Sequence, residues 1–148
     1  MILSGRDIAW YVKTGKLKIE PVTADQFQQN GIDLILEDVQ GHEKYFTKGN
    51  FVLGTTREFL SLPDDLMAFV ELRSTWARKG ILIPPTIVDA GFRGNLTLEI
   101  VSYSDVLVPY GERFAHLIFG RLTSPSSPYN GKYSGQRGIT ESIPDRKI

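Results

Sequence analysis

The sequence predicts an all-β domain, a sandwich, jelly roll or barrel of short strands with one or two short helices. Three observations predict it. Short apolar, partly β-branched runs recur along the chain, turn signals rich in Gly, Pro and Asp separate them, and only two stretches carry helix signatures. At 148 residues the chain has the length of one domain, whose core buries roughly two thirds of the unfolded surface.

The elements follow in order. Ser4 reads as the cap of a short helix through Lys13, stopped at Gly15. The period then becomes alternating. Leu17–Glu20, Ile32–Leu36, Phe51–Thr56 and Leu66–Leu72 read as strands, as do Asn95–Val101 and Arg113–Phe119. Turns are expected at Leu62-Pro63-Asp64-Asp65, Ala90-Gly91 and Pro109-Tyr110-Gly111-Glu112. One helical interruption is predicted: Ser74 as cap, then one to two turns ending at Gly80. Residues 1–123 form the β domain. Residues 124–148, rich in Gly, Ser and Pro, read as a mobile segment, either a disordered basic end or a lid over an anion.

Composition excludes several function classes. The chain has no cysteine, which removes disulfides, thiol nucleophiles and thiolate-bound metals. Its two histidines, His42 and His116, are far apart, so a His-rich metal site is not expected. Seventeen basic residues balance seventeen acidic ones, so no overall field draws the chain to nucleic acid or a membrane surface. The balance hides an asymmetry, because residues 121–148 carry five basic and two acidic groups, +3 against −3 for the rest. No apolar run approaches a membrane-spanning length, and the first seven residues lack a secretory signal pattern, so a cytoplasmic location is expected.

Two stretches could carry chemistry. Arg73, Ser74 and Thr75 stand where a strand enters the short helix, and a guanidinium with two hydroxyls suits a phosphate. The plainer reading is that Ser74 only caps the helix while Arg73 points to water. Arg78 follows Ser74 by four residues, on the same helical face. In the second stretch, Ile87-Val88 leads into Asp89, then into a turn carrying Phe92 between Gly91 and Gly94. This is either a simple hairpin turn or a sugar pocket, with Asp89 on a hydroxyl and Phe92 against a ribose face. Along the next strand, period two puts Leu96, Leu98 and Ile100 on one face and Thr97, Glu99 and Val101 on the other. A Glu on an outer face is usually solvated. Facing a cleft, it suits general acid/base work.

Together, Leu72-Arg73-Ser74-Thr75-Trp76-Ala77-Arg78 and Ile87-Val88-Asp89-Ala90-Gly91-Phe92-Arg93-Gly94-Asn95-Leu96-Thr97-Leu98-Glu99 resemble the core of the dCTP deaminase family, within the dUTPase-like superfamily of trimeric jelly rolls. Met1-Ile2-Leu3-Ser4 with Asp7-Ile8, then Gly31-Ile32-Asp33-Leu34, and Pro128-Tyr129 with Lys132-Tyr133-Ser134-Gly135-Gln136-Arg137-Gly138 extend the resemblance over most of the chain. It implies a distorted dUTPase-like jelly roll and a homotrimer with sites between subunits. It implies Glu99 as the general acid/base that activates water at cytosine C4, with Ser74 and Arg78 holding water, base and carboxylate. It implies Asp89 facing the deoxyribose, Phe92 packing on the sugar, and Arg73, Thr75, Tyr129, Lys132 and Gln136 contacting the triphosphate. The implied Mg²⁺ rides on the triphosphate, and no protein ligand to a metal is implied.

Three functions are weighed. The first is a dCTP deaminase forming dUTP and ammonia, with or without onward hydrolysis to dUMP and diphosphate, so supplying dUMP for thymidylate synthesis. The second is a dUTPase alone, and the third a non-catalytic nucleotide-binding jelly roll. Glu99 together with Ser74 and Arg78 favours deamination, since hydrolysis of dUTP needs no acid/base at C4. The stretch Lys79–Val88, between Arg78 and Asp89, lacks the Thr-Ala-His run of bacterial deaminases, which keeps the choice of cytosine or uracil open.

Overall fold

The computed structural model of the chain describes residues 1–41 and 43–145. His42, and Arg146 and Lys147 of the tail's charge count, lie outside the described residues. Ser4 caps α1 (Gly5–Lys13), its Oγ accepting the Asp7 N–H at 3.2 Å. Thr14 closes the helix and Gly15 leaves it at φ 77°, a conformation glycine adopts without strain. Ile8 is fully buried, and Tyr11 and Val12 pack half-buried on the core.

Among the described residues ten strands follow: β1 (Lys18–Glu20), β2 (Ile32–Val39), β3 (Tyr45–Phe46), β4 (Phe51–Ser61), β5 (Leu66–Leu72), β6 (Ile81–Leu82), β7 (Thr86–Val88), β8 (Arg93–Ser102), β9 (Val106–Leu107) and β10 (Arg113–Arg121). A single 3₁₀ turn (Ala24–Gln26) precedes β2, and α2 (Ser74–Ala77) links β5 to β6. One antiparallel sheet runs in the order β6-β8-β4-β2-β10-β5-β7, with β1 added on β4, while β3 and β9 pair separately. The long sheet curls into a half-barrel, the all-β architecture that the sequence predicts. Its concave face is filled by Leu34, Leu36, Leu60, Leu66, Leu98, Phe114 and Phe119, all essentially inaccessible. Burying each such side chain contributes roughly 1.5–3 kcal/mol.

Three local expectations are corrected. The strand expected over Phe51–Thr56 continues to Ser61. A bulge between Thr55 and Phe59, against β8, carries the charged pair Arg57-Glu58 through the sheet and turns Glu58 into the core. Helix α2 is a single turn. Arg73, extended at φ −63° and ψ 137°, occupies its cap position, so Ser74 is the first helical residue and not the cap. Short strands β6 and β7 flank Pro84-Pro85, where the prolines hide the strand pattern.

The residues after β10 add no further helix or strand among those described, apart from a parallel bridge of Gln136 to Gly94 on β8.

Candidate active site

Strand β8 pairs with β6 only at Val101 and Ser102. Apart from the bridge of Gln136 to Gly94, its remaining edge has no strand partner, and β7 forms the other end of the curled sheet. A cavity of about 460 Å³ fills this seam. Alternation along β8 delivers one face to the core and the other to the cavity: Leu98 and Ile100 are buried, and Thr97 and Glu99 line the opening. The β7–β8 turn supplies Asp89 and Phe92. Gly91 stands at φ 81°, and a Cβ there would meet the backbone of Pro128 and Tyr129 at 2.7 Å, so only glycine admits the tail so closely. Apolar Phe51, Leu53, Val70 and Val88 complete the walls.

The C-terminal segment roofs this cavity. Tyr129 N–H donates to Ala90 O at 2.8 Å, and the Tyr129 ring packs on Phe92 at 5.8 Å between centroids. Gln136 Nε2 donates to Asn95 O at 2.6 Å, and Thr140 N–H donates to Thr97 Oγ1 at 3.0 Å. Tyr129, Gln136, Thr140 and Ser142 therefore line the same space as Asp89 and Glu99. Lys132 does not line it. Its Nζ meets Asp145 Oδ1 at 2.7 Å, and this carboxylate raises the lysine's pKa.

The expected residues thus divide into two groups. Asp89, Phe92, Glu99, Tyr129 and Gln136 surround one cavity, while Arg73, Ser74, Thr75 and Arg78 do not reach it within the chain. Ser74, Thr75 and Arg78 are exposed on and beside α2, which is held by buried Trp76, whose indole N–H donates to Arg113 O at 2.8 Å. Arg73 does not point freely to water. Its Nε lies 3.0 Å from Asp33 Oδ2 and its Nη1 3.2 Å from Arg113 O. Asp33 is itself buried and also meets Arg113 Nη1 at 3.4 Å and His116 Nδ1 at 2.7 Å. Sequence reasoning did not single out Thr97 or Thr140 on the cavity wall. Thr97 shares the outward face of Glu99, and that period-two neighbour relation was a usable signal.

A sequence profile described as dCTP deaminase-like matches residues 37–122. The chain belongs to the dCTP deaminase-like family. Among its relatives, a dCTP deaminase of Hyperthermus butylicus is 42% identical, covering 98% of this chain and 100% of that protein. A probable deoxyuridine 5′-triphosphate nucleotidohydrolase of Sulfolobus islandicus rod-shaped virus 1 is 49% identical, over 95% of this chain and 97% of that one. Among solved structures, the 2′-deoxycytidine 5′-triphosphate deaminase of Agrobacterium tumefaciens superposes with TM-score 0.68 at 22% identity, over 82% of this chain and 47% of its own. The EIAV dUTPase superposes with TM-score 0.59 at 21% identity, over 78% and 98%. Both likenesses concern the fold.

Proposed function

We propose that the protein deaminates dCTP to dUTP, with Glu99 as the general acid/base. The observation that carries this reading is the placement of Glu99 in one cavity with Asp89 and Phe92. A carboxylate beside a sugar-binding turn stands where it can act on the base of a bound nucleotide. The Glu99 carboxylate accepts one proton from water as the oxygen bonds to C4 and passes it to the amine, the C4–N bond breaks to release ammonia, and the water's other proton ends on N3, so that dCTP and water yield dUTP and ammonia. Asp89 orients the deoxyribose, and Phe92 packs against it. Onward hydrolysis to dUMP and diphosphate in the same site would supply dUMP for thymidylate synthesis, in the cytoplasm.

Ser74 and Arg78, assigned to hold water, base and Glu99, are absent from this chain's own cavity. A neighbouring copy is proposed to bring them, with Arg73 and Thr75 toward the triphosphate, in a homotrimer with three shared sites. Exposed Phe51 and Ile87 at the cavity rim support such a partner, since apolar side chains at a rim favour burial. Tyr129, Lys132 and Gln136 would close on the triphosphate from above. Among the described residues no three carboxylates or imidazoles converge on one point. A Mg²⁺ carried by the triphosphate would neutralise phosphate charge.

The second reading, a dUTPase acting on dUTP alone, is favoured by the 49% identity to the viral protein. Incubation with dCTP and, separately, with dUTP distinguishes them. Ammonia and dUTP, or dUMP, from dCTP support the first reading. Diphosphate from dUTP with dCTP untouched supports the second. Binding of both nucleotides without turnover of either leaves only the non-catalytic jelly roll.

A further inference from the structure

We propose that Asn95 is a positioning residue that seats the C-terminal segment over the cavity by bridging the β4 bulge to that segment's backbone. The inference rests on the reading of the cavity as the nucleotide site. Every hydrogen-bonding group of Asn95 is engaged, and each bond runs to one of these two partners. On the bulge side, Nδ2 lies 3.0 Å from Glu58 O, 3.3 Å from Thr56 O and 3.4 Å from Arg57 O, so its two hydrogens are shared over three carbonyls. On the other side, Oδ1 accepts the Gly138 N–H at 3.3 Å, Asn95 N–H donates to Gln136 O at 3.0 Å, and Asn95 O accepts Gln136 Nε2.

The surroundings explain why this side chain fits. Bulge residues 56–58 lack regular partners on β8, and Asn95 Nδ2 joins the Thr55 and Thr56 hydroxyls as donors to their carbonyls. A primary amide offers donors at one end and an acceptor at the other. A carboxylate of the same size would turn an acceptor toward three carbonyls, and alanine would satisfy neither side. The segment is fixed on both flanks of this bridge. The Arg137 guanidinium lies 3.8 Å from the Phe59 ring centroid, and Thr140 is bonded to Thr97. Gln136 and Thr140 both line the cavity, so the place of Gly138 between them sets where the roof stands.

Amide hydrogen exchange on the full chain tests this without any nucleotide. In Asn95→Ala, the Gly138 and Thr140 amides should exchange at least about tenfold faster, with β8 amides from Leu98 to Ile100 protected as before. Asn95→Leu, close to asparagine in shape but with neither donor nor acceptor, gives the same readout should the alanine variant fold poorly. Unchanged protection at Gly138 and Thr140 in a folded variant overturns the proposal. So does loss of protection throughout β4 and β8, which would mark a merely structural role. Kinetics give a second arm: KM for the nucleotide should rise about five- to tenfold with kcat within about threefold. A fall in kcat at unchanged KM also overturns the proposal. Failure of the wild type to turn over either dCTP or dUTP would sink the functional reading alone, because the exchange result stands apart from it.

Discussion

Glu58 is wholly buried yet ionisable. Ile35 N–H lies 3.1 Å from both carboxylate oxygens, and Gln26 Nε2 donates at 2.8 Å. Burial outweighs these bonds and raises its pKa to about 7 from 4.5. Between those two values the unfolded chain loses the proton while the folded chain keeps it, so folding stability falls as pH rises across that window. We predict a loss of at most about 3 kcal/mol between pH 4.5 and 7 from this residue. Urea midpoints across pH should show a slope in wild type that Glu58→Gln flattens, and equal slopes would contradict it. The sequence carried a signal for this position. Period two counted back from Leu60 puts Glu58 inward, but a charged pair in an apolar run reads as the end of a strand. Glu99 was legible for the opposite reason, as its neighbours Leu98 and Ile100 fix its face. Glu99→Gln should release ammonia from dCTP roughly 10²–10⁴-fold more slowly while nucleotide binding largely persists. Deamination at the wild-type rate would reduce Glu99 to surface charge.

At the scale of elements, the strands with clean alternation were legible, while β6, β7 and the far half of β4 were not. Prolines and a bulge interrupt the two-residue period there, and only pairing across the sheet restores it. Helix α2 was legible in place but not in its cap, because the strand's own extension carries Arg73 into that position. For the C-terminal segment, composition pointed to a chain costly to order, and backbone bonds to Ala90 and Asn95 offset part of that cost. A bound triphosphate should order residues from about 124 onward further, through Lys132 and Gln136. All strands among the described residues end by Arg121, while Tyr129 and Tyr133 pack against the core, so deleting residues 125–148 should lower the melting temperature modestly without unfolding the β domain. The same deletion should lower turnover and weaken nucleotide affinity. Unaltered kinetics would make the segment a bystander.

For the whole molecule, the division of the assigned residues is the decisive feature. Glu99 and Asp89 face the cavity of one chain, while Ser74 and Arg78 stand exposed at α2, outside that cavity. A closed ring of identical chains would join each cavity to a neighbour's α2. Sedimentation at micromolar concentration should therefore give a trimer, and a fully active monomer would contradict the shared site. Co-expression of Glu99→Gln and Ser74→Ala chains tests the account most directly, with ammonia release from dCTP as the readout. Each variant alone should be nearly inactive. In mixed assemblies roughly a quarter of the sites, for random association, would pair an intact Glu99 with an intact Ser74, and activity should return in that proportion. A mixture as inactive as either variant alone would contradict the account.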